Sequence, residues 1–157
     1  MLKKIKVLSI ILLCILLAAC NSNDASSSKN ENTKLKSNNI GDVVNIDGLE
    51  ITINNTKYTD DRNQFQENQP EEVLILDFYV ENKTDEEIVF SASDFEIYDA
   101  DGTKMDIYPL DSVVENLLPG KNASGQGTYG VSGKAPYEVY YTELLKGHKA
   151  KWILDVK

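Results

Sequence analysis

From Ile40 onward the dominant spacing of apolar side chains is two residues, and that period builds strands rather than helices. Leu49, Ile51 and Ile53 alternate with Glu50, Thr52 and Asn54, as a half-buried strand requires. Val43-Val44-Asn45-Ile46 runs into Asp47-Gly48, a pair that tolerates positive φ at both turn positions and so joins the two segments as a hairpin. Leu74, Leu76, Phe78 and Val80 line one face of a longer strand, with Val73, Ile75, Asp77 and Tyr79 opposite. Apolar residues on both faces place this strand centrally.

Between these strands, residues 59–70 form a polar loop and Asn82-Lys83-Thr84-Asp85 has turn chemistry. Ile88-Val89-Phe90 and Phe95 to Tyr98 read as short strands, and Asp99-Ala100-Asp101-Gly102 turns the chain into Lys104–Tyr108. Val113, Val114, Leu117 and Leu118 stand at helix-like spacing, which predicts one short helical turn ended by Pro119-Gly120. Residues 122–132 and 137–142 and the alternation of Trp152, Leu154 and Val156 complete the pattern. Seven to nine short strands with frequent turns predict an all-β fold, an antiparallel β-sandwich. Residues 40–157 supply 118 residues, enough for one core and too few for two.

The first residues carry an address. Lys3, Lys4 and Lys6 precede an apolar run from Val7 to Leu17, too short to span a bilayer, which needs about 20 apolar residues. Leu17-Ala18-Ala19-Cys20 then matches the bacterial lipobox. The expectation is a signal peptide over residues 1–19, cleavage between Ala19 and Cys20, and a diacylglyceryl anchor on the Cys20 thiol. Cys14 falls in the discarded segment, so no thiol remains for a disulfide, a metal or nucleophilic attack. Two acyl chains hold a protein at a membrane far more firmly than one. Residues 20–39 begin at the lipidated cysteine and continue as Asn, Ser, Lys, Glu and Thr with almost no apolar side chain, which reads as a disordered tether. Its reach as a coil is roughly 25 Å.

The whole chain carries a net charge of −9. Residues 1–19 hold three lysines and no acid, so the processed chain keeps 13 basic against 25 acidic residues, a net charge of −12. Nucleic-acid binding needs clustered Lys and Arg and is excluded as an expectation. The acidity itself reads as solubility and repulsion from a negatively charged envelope.

Few side chains combine into a chemical constellation. Asp99, Asp101 and Asp106, with Asp94 and Glu96 nearby, lack the ligand spacing of a calcium loop, and a turn explains them through Asp side chains bonding nearby amides. His148 is the single histidine, set among Lys146, Lys149 and Lys151 in a stretch read as a solvated basic turn. One histidine without a free cysteine cannot build a catalytic zinc site, and its lysine neighbours oppose a basic role. That basic stretch is nonetheless a candidate contact for envelope phosphates. Tyr140 lies opposite Tyr137, Val139 and Tyr141 and is the best candidate for an exposed aromatic contact. Glu71-Glu72 and Glu86-Glu87 are adjacent and therefore point apart, which makes them poor acid/base pairs. No glycine-rich phosphate loop occurs.

Three blocks resemble a known family. Leu76-Asp77-Phe78-Tyr79-Val80-Glu81-Asn82-Lys83-Thr84 is similar to its central strand and asparagine turn. Ser93-Asp94-Phe95-Glu96-Ile97-Tyr98-Asp99-Ala100-Asp101-Gly102 is similar to its serine-aspartate-phenylalanine strand and aspartate-glycine turn. Leu118-Pro119-Gly120-Lys121, followed by Gly127 and Tyr129, is similar to its entry into the next strand. These blocks resemble the immunoglobulin-like bacterial lipoproteins of domain of unknown function four-three-five-two, often mislabelled as telomeric-repeat-binding proteins. The resemblance implies an immunoglobulin-like sandwich on the outer face of a Gram-positive membrane, with no catalytic residues. The matching motifs are core aromatics and turns, which identify a fold rather than an activity.

Together these readings predict a lipid-anchored, extracytoplasmic module at the cell membrane that binds an envelope protein or polymer without turnover, with no cofactor and no metal. The alternatives are a carboxylate-based envelope hydrolase and an ion- or ligand-binding sensor. A closed pocket with convergent carboxylates favours the hydrolase, and a flat aromatic and acidic sheet face favours binding.

Overall fold

The computed structural model describes residues 35–143 and 147–156. Eleven strands follow one another as β1 (Ser37–Asn38), β2 (Val43–Ile46), β3 (Leu49–Thr59), β4 (Glu72–Asn82), β5 (Ile88–Ser91), β6 (Phe95–Tyr98), β7 (Lys104–Ile107), β8 (Val114–Leu117), β9 (Asn122–Val131), β10 (Tyr137–Glu143) and β11 (Gly147–Leu154). One 3-10 turn, Ala92–Asp94, leads into β6. Nine strands hydrogen-bond in the order β1-β11-β10-β6-β7-β9-β4-β3-β2, and β5 with β8 makes a separate two-stranded ribbon. The fold is a β-sandwich, as the alternation predicts, and immunoglobulin-like, as the resemblance implies, with all pairings antiparallel except that of β1 with β11.

The nine-stranded sheet changes layer at β7. Ile97 and Tyr98 of β6 face Met105 and Lys104, whereas the next residues, Asp106 and Ile107, pair with Gly130 and Tyr129 of β9. One short strand therefore belongs to both layers, a device by which sandwiches turn corners. Between the layers lies an aromatic core. Phe78 and Phe95 stack at 4.6 Å between ring centroids, and Phe90, Tyr141 and Trp152 close around them at 5.3 to 6.0 Å. Such offset and edge-on contacts add about 0.5–1.5 kcal/mol per pair beyond the area they bury. Tyr129 reaches the same core and donates its hydroxyl to Ala92 O at 2.7 Å.

The hairpin forms where Asp47-Gly48 predicts it, with φ of 50° at Asp47 and 95° at Gly48. Four readings differ from the structure. The strand count exceeds seven to nine because several short strands, such as β1 and β8, carry no alternation long enough to see. Ser37 and Asn38, at the end of the stretch read as tether, pair with Lys151 and Trp152, and Asn38 Nδ2 also donates to Lys151 O at 2.9 Å. The helical turn expected over Asp111–Leu118 is instead β8, laddered to β5 and started by the amide of Val113 donating to Gln126 O at 2.7 Å. The final strand begins at Gly147, so His148 and Lys149 lie in β11 and not in a turn.

The polar loop after β3 is tied down. Asn63 N donates to the Tyr108 hydroxyl at 2.7 Å, which donates in turn to Gln69 Oε1 at 2.5 Å. Arg62 donates to the backbone carbonyls of Thr59, Asp61 and Glu71. Asp61 and Arg62 of this loop lie beside Ile75, which is buried on the outward face of β4, where the sequence already shows apolar residues on both sides.

Candidate functional site

Ala19 and Cys20, the expected cleavage and lipidation residues, lie outside the described residues, as do Cys14 and Lys146. Of the other candidates, Tyr140, His148, Lys151 and Glu96 converge, whereas the aspartates lie elsewhere. On the outward face of β6, β10 and β11, Tyr140 stands opposite Glu96 on one side and Lys151 on the other. Its neighbours along β10 and β6, Glu138 and Tyr98, are likewise paired across strands. Alternation alone accounts for these positions, since Phe95, Ile97, Val139 and Tyr141 take the core side.

His148 reaches this face through a bulge. Tyr141 pairs with Ala150, but the next residue, Thr142, pairs with His148, so Lys149 is the extra residue of β11. An extra residue reverses the side to which everything beyond it points. Without it His148 would face inward with Ala150 and Trp152. With it the imidazole stacks on the Tyr140 ring at 4.5 Å and 29°, and Nε2 lies 2.7 Å from Glu96 Oε2.

The carboxylates are the organising charges of the face. Glu96 takes Lys104 Nζ at 2.6 Å and the Tyr98 hydroxyl at 3.0 Å in addition to His148. The bond from Lys104, then that from His148, holds the Glu96 carboxyl down at about 2 against the opposing effect of burial. Glu138 accepts from Lys151 Nζ at 2.5 Å and the Tyr140 hydroxyl at 2.7 Å, and these bonds lower its pKa as well. Lys151 also sits 5.2 Å from the Tyr140 ring centre. Tyr98 meets Tyr140 edge-on at 5.8 Å. The result is a flat, ordered surface of two tyrosines, a histidine and two carboxylates, each carboxylate already matched to a lysine.

This geometry differs from the reading of the basic stretch as a solvated turn. Its described cations are engaged, with Lys149 3.8 Å from Asp47, Lys151 on Glu138 and His148 on Glu96. The aspartates behave as turn chemistry predicts. Asp99 is buried and its Oδ1 accepts from the amides of Asp101 at 3.0 Å and Thr103 at 2.7 Å. Asp94 caps the 3-10 turn by accepting from Ser91 N, and burial raises its pKa. Of that group only Glu96 lies on the β6–β10–β11 face, and Asp106 is exposed on β7. Glu96, Tyr98, Lys104 and Glu138 were missed as partners of Tyr140 because strand register, unlike alternation, is not written in a local stretch of sequence.

Elsewhere the surface holds open grooves. One of about 600 Å³ is lined by Asp61, Arg62, Ile75, Asp111 and Gln126, and another of about 400 Å³ by Gln69, Lys104, Asp106 and Tyr108. Asp61 and Asp111 are exposed, and the Arg62 guanidinium is committed to backbone carbonyls, so neither groove presents a buried acid beside a nucleophile. Among the described residues no group of three or more His, Cys, Asp or Glu side chains is arranged to hold a metal, and no helix is long and apolar enough to cross a membrane.

A family profile described as Domain of unknown function (DUF4352) matches residues 38–151. The chain belongs to the DUF4352 family. Every residue of the β6–β10–β11 face named above falls inside the DUF4352 match. Solved structures share the fold. The secreted protein MPT63 of Mycobacterium tuberculosis is 13% identical with a TM-score of 0.62, over 76% of this chain and 98% of that one. The candidate lipoprotein ycdA of Bacillus subtilis is 22% identical with a TM-score of 0.55 over 69% of this chain, which spans only 37% of ycdA. The yjhA protein of Bacillus subtilis is 16% identical with a TM-score of 0.53, over 76% of this chain and 98% of that one. No curated protein matches the chain.

Proposed function

We propose that this DUF4352 protein is an extracytoplasmic binding module, anchored to the membrane through a diacylglyceryl group on Cys20, that engages an envelope protein or polymer without chemical turnover. The observation that carries the reading is the face built on Tyr140. Aromatic rings with polar ends and fixed charges on rigid strands suit recognition, because little side-chain freedom is left to lose on binding. A flat sheet face of this composition is what separates a binding module from a hydrolase, which needs an enclosed cleft. The lipobox supports the anchor, and the names of the MPT63 and ycdA proteins agree with a place outside the cytoplasm.

The test has two arms. Purified protein is presented with peptidoglycan, teichoic acid and isolated envelope proteins, and retention is compared between wild type and Tyr140→Ala. The expected result is retention of one of these that Tyr140→Ala lowers about tenfold or more, which corresponds to about 1.4 kcal/mol. Ester, glycan and peptide substrates are incubated in parallel. Turnover that disappears when Asp61 or Asp111 is replaced by Asn would install the hydrolase instead.

A further inference from the structure

A second surface lies apart from the Tyr140 face, at the ribbon of β5 and β8. These two strands ladder only to each other, so each keeps one unpaired edge. Ala92 N donates to Val113 O, and the alternation of antiparallel bonding then directs the backbone of Phe90 and Glu115 inward to the ladder. Val114 and Asn116 consequently turn their N–H and C=O groups away from β5, and no side chain among the described residues takes them up. The cross-strand pairs Val89–Asn116 and Ser91–Val114 share the solvent face. Val89 is 60% exposed and Val114 66%.

Natural sheet edges are normally blunted by lysine, proline or a bulge. Neither strand contains lysine, arginine or proline. The charges around the ribbon are instead carboxylates. Glu86, Glu87, Asp111 and Glu115 are all exposed and none forms an ion pair among the described residues. Lys83 is held by Glu81 and Glu50, and Lys121 lies in the turn beyond Pro119. Just before β8 the chain is bonded to β9 through Val113 N and Gln126 O, and beyond that contact lies an open cleft of about 290 Å³ lined by Asp111, Val113, Glu115, Ser124 and Gly125.

We infer that the β8 edge accepts an added strand: an extended, cationic polypeptide segment with apolar residues at alternate positions. Backbone groups of Val114 and Asn116 give the ladder, Val89 and Val114 give the apolar contact, and the carboxylates select positive charge. A second copy of this chain is disfavoured, since it brings the same acids to the same edge and a net charge of −9 overall.

The probe is a short peptide alternating lysine and valine, added to the purified full-length chain, with a glutamate–valine peptide as the control. The expected result is binding of the lysine peptide alone, weakened about tenfold or more by high salt, with slowed amide exchange at Val114 and Asn116. Val114→Lys should abolish it while leaving the circular dichroism unchanged, because the side chain is already in solvent. Asp111→Asn with Glu115→Gln, which leaves the strand's apolar contacts intact, should weaken it and flatten the salt dependence. Equal binding of the glutamate peptide, protection confined to other strands, or self-association through this ribbon each overturns the inference.

Discussion

Asn82 shows how much a single side chain can hold. It is fully buried, donates to Glu86 O at 2.7 Å and Leu117 O at 2.8 Å, and accepts from the amide and hydroxyl of Thr84. Its backbone also bonds Lys121 and Gly120, so the end of β4, the start of β5 and the exit of β8 meet at one amide. Asn82→Ala removes the side-chain donor from the buried Leu117 carbonyl and the acceptor of Thr84, and is expected to cost about 1–3 kcal/mol, read as a lower urea midpoint. The sequence places Asn82 in a turn, and the structure makes it the last residue of β4, at the entry to that turn. Its deeper role was not legible, because the carbonyl of Leu117 lies far away along the chain. Glu96 is the second decisive residue. Its carboxyl titrates near 2 in the folded protein against an ordinary 4.5, so its bonds stabilise fully above 4.5 and are lost as pH falls towards 2. The stability gap between wild type and Glu96→Gln should therefore be widest above 4.5 and close on acidification. A gap that is constant with pH contradicts the bonding of Glu96 to Lys104 and His148.

At the scale of elements, β9 packs where a side chain is missing. A Cβ on Gly127 would lie 2.7 Å from the Tyr129 hydroxyl, 2.9 Å from Ala92 Cβ and 3.0 Å from Phe78 Cε2. Gly127→Ala must displace Tyr129 from Ala92 O and is expected to destabilise by about 2–3 kcal/mol, measured by thermal or urea unfolding. Gly127 is one of the residues that carry the family resemblance, and close packing is its physical reason. The β2–β3 hairpin and the long strands β3 and β4 were legible because turn chemistry and alternation agree there. The segment with β8 was not. Val113, Val114, Leu117 and Leu118 satisfy a helical spacing, and only the ladder to β5, a contact remote in sequence, decides for a strand. The start of β11 was hidden for a related reason: the bulge at Lys149 breaks the period at the residue that aims His148.

For the whole molecule, the core composition was legible and the strand order was not. Alternation puts Phe78, Val139, Tyr141, Trp152 and Leu154 each on one face of its strand, and all are buried. Nothing local could reveal that β7 crosses between layers or that β10 brings Tyr140 beside Glu96. Trp152 is fully buried at the centre, and its indole N–H has no acceptor among the described residues. Trp152→Phe thus removes volume but no hydrogen bond and should cost about 1–2 kcal/mol, whereas Trp152→Ala should cost about 3–5 kcal/mol by calorimetry. Neither change touches the outward face, so binding by the folded fraction should persist in both.

The central claim is that the face around Tyr140 is where this protein meets its partner. A photo-crosslinking residue at position 153, which stands opposite Glu138 beside Tyr140, tests it in intact cells against the same residue at position 57 on β3. The account predicts a discrete crosslinked species from position 153, lost when Tyr140→Ala is added, and none from position 57. Equal crosslinking from both positions, or crosslinking from 153 that survives Tyr140→Ala, contradicts it.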